Sequence, residues 1–189
     1  SRSRRLRFYL AYAQKQSLDA GDKRRIRSIV GFFSGRDEAI ATAASLRAAG
    51  RNPLPQTRVA LDDGSLLVVQ DWLRVLPGKR LTGSGEWRGR KALAKLFIAE
   101  RGSERHWQRE CRGAENLKRH GLPTPALLAS GLLGDGGHYV LYDYLDGARN
   151  PDAARLDELT PVFAQLGRMH AKGLVQEDAH LGNFLLEGD

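Results

Sequence analysis

The chain is 189 residues long, room for one ordinary domain or a domain and part of another, and 41% of it is hydrophobic, enough to bury a core. Lys and Arg number 30 against 22 Asp and Glu, a formal net charge of +8, so an anionic partner is expected. The lone cysteine, Cys111, excludes an intrachain disulfide and fits a reducing compartment; no apolar run approaches the roughly 18–20 residues that span a bilayer. The N-terminus is basic but lacks the apolar stretch of a secretory leader. The chain does not begin with Met and reads as a piece of a longer protein.

The charge is uneven: residues 1–30 hold nine Lys and Arg against Asp19 and Asp22. Over 5–15, Leu6, Tyr9, Leu10 and Ala13 share one helical face. Over 22–33, Ile26, Ile29, Val30 and Phe33 fall at i, i+3, i+4 and i+7, with Asp22 placed to cap. An Ala-rich stretch predicts a third helix at about 36–49, ending at Gly50. Residues 1–50 therefore read as a basic helical segment. Its charge fits a solvated helical face or attraction to an anionic lipid surface. Nucleic acid is not an expected partner, because no nucleic-acid-binding motif accompanies the charge.

Arg51-Asn-Pro-Leu-Pro55 breaks the helical pattern and reads as a linker. Arg58–Leu61 and Ser65–Val69 then flank Asp62-Asp63-Gly64, a hairpin signal. Strands follow at about 71–76, 80–87 and 90–98, with turns at Pro77-Gly78-Lys79 and Arg88-Gly89. A helix from Ser103, as its cap, to about His120 stops at Gly121. Two more strands, about 126–131 and 137–143, precede a helix over 152–172. The order predicts an α+β fold in which an antiparallel sheet carries one helix.

The chemistry gathers at three places. Lys95 lies within an apolar strand, where an ammonium needs a partner or a ligand. Glu110, on the following helix, could hold it toward a pair of phosphates, although Glu104 and Glu115 compete for that role. Asp178-Ala-His180-Leu-Gly-Asn183 puts a carboxylate and an amide five residues apart in a polar loop. Asp178 could orient an attacking hydroxyl and accept its proton, and Asn183 could offer oxygen to Mg²⁺. Strand Lys, helix Glu and an Asp-x₄-Asn loop, in that order, are the parts of a kinase-type phosphoryl-transfer site. Asp and Asn are also ordinary turn residues, and only their order with Lys95 and Glu110 favours function.

From about residue 71 onward the chain resembles the eukaryotic-like kinase superfamily. Arg90-Lys-Ala-Leu-Ala-Lys-Leu-Phe97 looks like its third strand, and Arg109-Glu110 through Gly121-Leu-Pro-Thr-Pro125 like its C-helix and exit. Tyr139-Val-Leu-Tyr-Asp-Tyr-Leu145 looks like its fifth strand and hinge. Met169-His-Ala-Lys-Gly-Leu-Val-Gln-Glu-Asp178 looks like the approach to its catalytic loop. Within the superfamily the chain is most similar to bacterial lipopolysaccharide core kinases of the heptose and Kdo type. The resemblance implies a bilobal fold: an N-lobe at 51–142 and a hinge with the start of a C-lobe at 143–189. Residues 1–50 read like the C-terminal helices of a preceding kinase-like domain.

The resemblance further implies ATP and Mg²⁺ as cofactors. Asp178 would be catalytic, Asn183 the metal ligand, and Lys95, fixed by Glu110, the grip on the α- and β-phosphates. Gly78 would cover the phosphates, and Asp143 and Leu145 would offer backbone groups to adenine. The acceptor would be a sugar hydroxyl of a lipid-linked core oligosaccharide, in the cytoplasm and peripheral to the anionic inner membrane.

The chain also departs from the family. Gln176-Glu177-Asp178 stands where His-Arg-Asp is usual, which implies no control by a phosphorylated loop. His180 stands where protein kinases carry a Lys; Asp-x-His-x-Gly-Asn is more similar to small-molecule kinases of the aminoglycoside phosphotransferase type. A second metal-binding Asp is expected after Phe184-Leu-Leu186, and none is recognisable by Asp189. A pseudokinase paired with an active partner and an atypical protein kinase are the alternatives.

Overall fold

The computed structural model describes residues 40–134 and 136–187. The helices expected over 5–15 and 22–33 lie outside the described residues. The elements, in order, are β1 (Ile40–Ala41), α1 (Ala43–Ala48), β2 (Thr57–Ala60), β3 (Leu66–Leu76), β4 (Arg80–Trp87) and β5 (Arg90–Phe97). They continue with α2 (Ser103–Arg119), β6 (Leu127–Leu132), β7 (His138–Asp143), α3 (Leu156–Ala171) and a 3₁₀ turn at Leu181–Asn183. The strands form one sheet of order β1-β2-β3-β4-β5-β7-β6. It is mixed rather than antiparallel throughout, because β1 pairs with β2 in parallel.

Alternation along the strands sends one set of side chains inward. Val59, Leu67, Val69, Leu81, Ala92, Ala94, Leu96, Tyr139 and Leu141 form a single core. The sheet curls around it. Register shifts in β3 at Val69/Asp71 and Trp72/Arg74 bend that strand. The strands expected separately at 65–69 and 71–76 are therefore one long, bent strand. Where the curl closes, Leu61 bridges Leu133. There the Asp62 carboxylate accepts from the Leu132 N–H at 2.8 Å and from the Tyr139 hydroxyl at 3.0 Å. Burial, then the Asp62 carboxylate, pushes the Tyr139 phenol up. Gly131 is small for a reason: a Cβ there would sit 2.4 Å from Asp62 Oδ2.

The opposite face of β5 and β7 is covered by α2, over Phe97, Val140 and Tyr142. Helix α2 begins after Gly102, which has φ +78° and makes no side-chain cap; Ser103, expected as the cap, is the first helical residue and is buried. The stop at Gly121 has φ +63°, the left-handed geometry that ends helices.

The N-terminal boundary also differs from expectation. Thr42 and Ser45 make a reciprocal capping box, so the third helix starts at Ala43 and not near 36. Ala43 and Leu46 are buried in the sheet's core. Residues 40–50 thus pack with the sheet, and the boundary expected at 51 falls inside this unit. The stretch read as a linker is anchored too, since the Leu54 carbonyl accepts from the Trp72 indole N–H at 2.9 Å.

Beyond β7, α3 starts at Leu156, four residues later than expected. The segment after the 3₁₀ turn returns to the start of this region. Arg149 and Leu186 exchange backbone bonds at 3.0 and 2.8 Å, and the Asn150 amide donates to the Phe184 carbonyl at 2.8 Å. This pairing positions the Asp178–Asn183 loop.

Candidate active site

Side chains of directly opposed residues in an antiparallel pair share a face. Lys95 on β5 is opposite Thr82 on β4 and Val140 on β7; Phe97 is opposite Arg80 and His138. Lys95 therefore projects on the α2 side of the sheet. There its ammonium lies 2.5 Å from Glu110 Oε1, and the same oxygen accepts from the Tyr142 hydroxyl at 2.9 Å. The Tyr142 ring also faces the ammonium, 5.3 Å from its centroid. Of the three glutamates that competed in sequence, the helix turns Glu110 to the sheet.

Burial acts to raise the Glu110 pKa. The charge and hydrogen bond of Lys95, the Tyr142 hydroxyl and the Arg80 charge outweigh it, and the carboxyl lies below its ordinary range. The carboxylate is thus ionised at neutral pH and holds the Lys. Burial, then the Glu110 charge, pushes the Tyr142 phenol up, so it remains a donor. Next to Glu110, Cys111 is half buried; burial raises its thiol, which argues against a reactive thiolate.

Gly78 sits at the tip of the β3–β4 hairpin with φ +67° and open space where a Cβ would project. Pro77 and Gly78 set a tight turn. The Lys79 N–H donates to the Leu76 carbonyl at 3.0 Å, and the Lys79 carbonyl accepts from the Ile98 N–H at 2.9 Å. The tip is therefore pinned beside the Lys95 end of β5, and it has few free N–H groups to offer. Gly83 and Gly85 lie within β4 rather than in a phosphate loop. A Cβ at Gly85 would meet the Val68 carbonyl oxygen at 2.2 Å, and one at Gly83 would meet Val69 Cγ1 at 2.6 Å. These glycines serve strand approach.

At the other end of β5, the segment that follows β7 is tied to the strand. Arg90 pairs with Asp143 at 3.3 Å, and Lys91 pairs with Asp146 and stacks over the Tyr144 ring at 4.3 Å. The Asp143 N–H already donates to the Ala126 carbonyl at 2.8 Å, so it is not an available donor for a base. The Leu145 N–H has no hydrogen-bond partner among the described residues. A depression of about 230 Å³, lined by Gln70, Gly85, Glu86, Gly89 and Lys91, opens at this end. It lies about 13 Å along the strand from Lys95, four residues at a strand's rise.

The loop carrying Asp178 is organised around that residue's carbonyl. The Asn183 amide donates to it at 2.6 Å and the His180 N–H at 3.0 Å. Donating through its nitrogen leaves the Asn183 amide oxygen free to accept. The Asp178 carboxylate is 80% exposed and has His180 Nε2 3.5 Å away. A Cβ on Gly182 would press on the His180 ring at 2.9 Å, so that glycine makes room for the imidazole. Arg109, adjacent to Glu110 on α2, pairs with Glu177, adjacent to Asp178. Two neighbouring residues of α2 thus reach Lys95 on one side and the loop on the other.

The Arg109–Glu177 link, Tyr142 and Arg80 were not found by sequence reasoning. A complementary pair was visible only in outline: an acid at 177 where a base is usual, and a base beside the helix glutamate.

Mg²⁺ prefers oxygen ligands and keeps several waters, using one or two protein groups plus phosphates. The Asn183 amide oxygen fits such a partial set. Among the described residues there is no cluster of three or more His, Cys, Asp or Glu that could hold a metal unaided.

A curled sheet with one helix on its outer face, followed by a connecting segment, a helix and a polar loop, is a protein-kinase-like fold. Among solved structures, that of vaccinia related kinase 3 shares it, with a TM-score of 0.50 and 13% sequence identity over 77% of this chain and 51% of that one. The chain thus spans about half the length of that kinase, and at this identity the likeness is one of fold alone. No protein-family model matches the chain, and no curated protein does.

Proposed function

We propose that the protein is an ATP- and Mg²⁺-dependent phosphotransferase whose acceptor is a sugar hydroxyl. The observation that carries this reading is the Lys95–Glu110 pair, 2.5 Å apart on the α2-covered face of a kinase-like sheet. Helix α2 acts as the C-helix, and Lys95, held in place by Glu110, takes the α- and β-phosphates. The Leu145 N–H serves the base. Asn183 would hold Mg²⁺, which when bound neutralises charge on the phosphates.

Asp178 orients the acceptor hydroxyl. The acceptor oxygen bonds to the γ-phosphorus while the bond from that phosphorus to the β–γ bridging oxygen breaks. ADP leaves, and the hydroxyl proton goes to the Asp178 carboxylate. Its exposure suits a bulky acceptor. His180, where protein kinases carry Lys, favours a sugar over a protein. With the sequence resemblance, this suggests a lipid-linked lipopolysaccharide core oligosaccharide, reached at an anionic membrane surface.

A second reading is a pseudokinase that binds a partner. It is favoured by Gln176-Glu177 before Asp178 and by the scarcity of free N–H groups at Gly78.

The test is transfer of radiolabelled γ-phosphate from Mg·ATP to dephosphorylated core oligosaccharide. The enzyme reading predicts label in the sugar, lost in Asp178→Asn. Label in a Ser-containing protein but not in the sugar would overturn the acceptor assignment. Binding of Mg·ATP with no transfer to either would favour the pseudokinase.

A further inference from the structure

The turn at Gly78 is too short to wrap a polyphosphate, and one of its N–H groups is already bonded. In phosphoryl-transfer sites of this kind backbone N–H groups usually supply much of the cradle, so the charge must be met from elsewhere. The sheet provides a source. Arg80, the first residue of β4 after the turn, is opposite Phe97 and so on the face that carries Lys95. Arg74 on β3 is opposite Thr82, which is itself opposite Lys95, so it belongs to the same face. Helix α2 packs over the β5–β7 half of this face, with Phe97, Val140 and Tyr142 beneath it. The two arginines stand on the β3–β4 half.

Neither arginine has an ion-pair partner among the described residues. Lys95, on the same face, differs in this respect: it is held by Glu110. Arg80 is also half buried, which keeps its charge poorly screened, and its field reaches Glu110. A guanidinium with no carboxylate, on the same face as Lys95 and next to the tip of the hairpin, is suited to bidentate contact with phosphate oxygens.

We propose that Arg80, assisted by the more exposed Arg74, binds the polyphosphate of the nucleotide and replaces the backbone cradle that the short Gly78 turn cannot supply. The proposal rests on the nucleotide-binding reading given above and assigns a further binding residue within it. Arg80 contacts phosphate and not the base, so its loss should weaken every ligand that carries the polyphosphate by the same factor.

The test is calorimetric titration of the full chain with Mg·ATP and, separately, with inorganic tripolyphosphate, for wild type, Arg80→Gln and Arg80→Lys. Arg80→Gln should weaken both ligands about tenfold. Arg80→Lys should recover part of the loss, and the unliganded melting temperature should stay unchanged. Unaltered Mg·ATP affinity in Arg80→Gln, with wild type binding normally, would overturn this assignment and leave the nucleotide site intact. Weakening of Mg·ATP but not of tripolyphosphate would also overturn it, by placing Arg80 at the nucleoside. Failure of wild type to bind either ligand would overturn the nucleotide reading and this assignment with it.

Discussion

Residues 40–143 and residues 144–187 are built on different principles. The first region fully buries Leu67, Val69, Leu96, Ile98, Val140 and Leu141 between a curled sheet and two helices. The second buries Val162 and Met169 and leaves Leu156, Phe163 and Val175 exposed by 75, 62 and 75%. Polar links give the second region its order. Arg149 grips both oxygens of Glu158 at 2.7 Å, Asn150 holds Phe184, and Arg109 reaches Glu177. Apolar packing is rigid and cooperative, whereas ion pairs depend on pH and, where both partners are exposed as in Arg109–Glu177, are weak. The contrast places the proposed phosphate grip on the stiff element and the proposed proton acceptor on the adjustable one.

The largest effect expected is on chemistry. Lys95→Ala should lower the proposed phosphotransfer by about 100-fold or more, the scale for losing one charged group that faces the transition state. Far-UV circular dichroism should show the fold retained, because the larger apolar cluster lies on the sheet's other face.

Next comes the closure of the sheet. Asp62→Ala removes the acceptor of both the Leu132 N–H and the Tyr139 hydroxyl. It should cost about 1–3 kcal/mol. Trp72, Trp87 and Trp107, the chain's three tryptophans, all lie in residues 40–143. Denaturation followed by their fluorescence therefore reports this region. A smaller loss than about 0.5 kcal/mol, within the range of ordinary surface changes, would show that the closure is dispensable.

Acid should separate the two regions. Glu158 is held at a pKa of about 2, below the usual 4.5, first by the Arg149 hydrogen bonds and then by the Asp152 N–H. A depressed carboxylate pKa stabilises the folded state fully above the unfolded value and loses that stabilisation as pH falls through the folded one. Between pH 4.5 and 2, the protection of α3 amides against hydrogen exchange, relative to the intrinsic rate at each pH, should fall. Tryptophan fluorescence should lag behind it, since the sheet's packing does not depend on Glu158. Simultaneous loss would mean that the regions unfold as one.

The smallest effect is expected at the link between helix and loop. The Arg109 and Glu177 side chains are 58 and 69% exposed, so Arg109→Glu should change stability by only about 0–1 kcal/mol. It should lower transfer several-fold by releasing the loop, and the exchanged pair Arg109→Glu with Glu177→Arg should recover activity. No loss in Arg109→Glu, or no recovery in the exchanged pair, would limit the contact to the surface.

Local signals made much of the sheet legible. Pro77-Gly78-Lys79 and Arg88-Gly89 bound β4 and β5, and both strands fall at the expected residues. The Gly121 stop located the end of α2. Three features escaped for physical reasons. The Pro-rich stretch at 51–55 resembles a linker until the Trp72 indole, far along the chain, takes the Leu54 carbonyl. The bend in β3 comes from its two register shifts against β4, which only the pairing reveals, so β3's own sequence reads as two strands. In the site, Lys95 and Glu110 could be picked out because a strand Lys and a helix Glu follow one another in order. Arg80, Tyr142 and the Arg109–Glu177 pair could not, because each acquires meaning only from strand register or from contact across the fold. Asp143 is expected to offer a backbone group to adenine; its N–H is taken by the Ala126 carbonyl.

The most direct measurement is the melting temperature of wild type and Lys95→Ala with and without Mg·ATP. A ligand that binds only the folded state, at a hundredfold excess over its Kd, stabilises by about 2.7 kcal/mol, or roughly 5–10 °C for a unit of this size. The account predicts that rise for wild type and its loss in Lys95→Ala. No rise in well-folded wild type at millimolar Mg·ATP would contradict it.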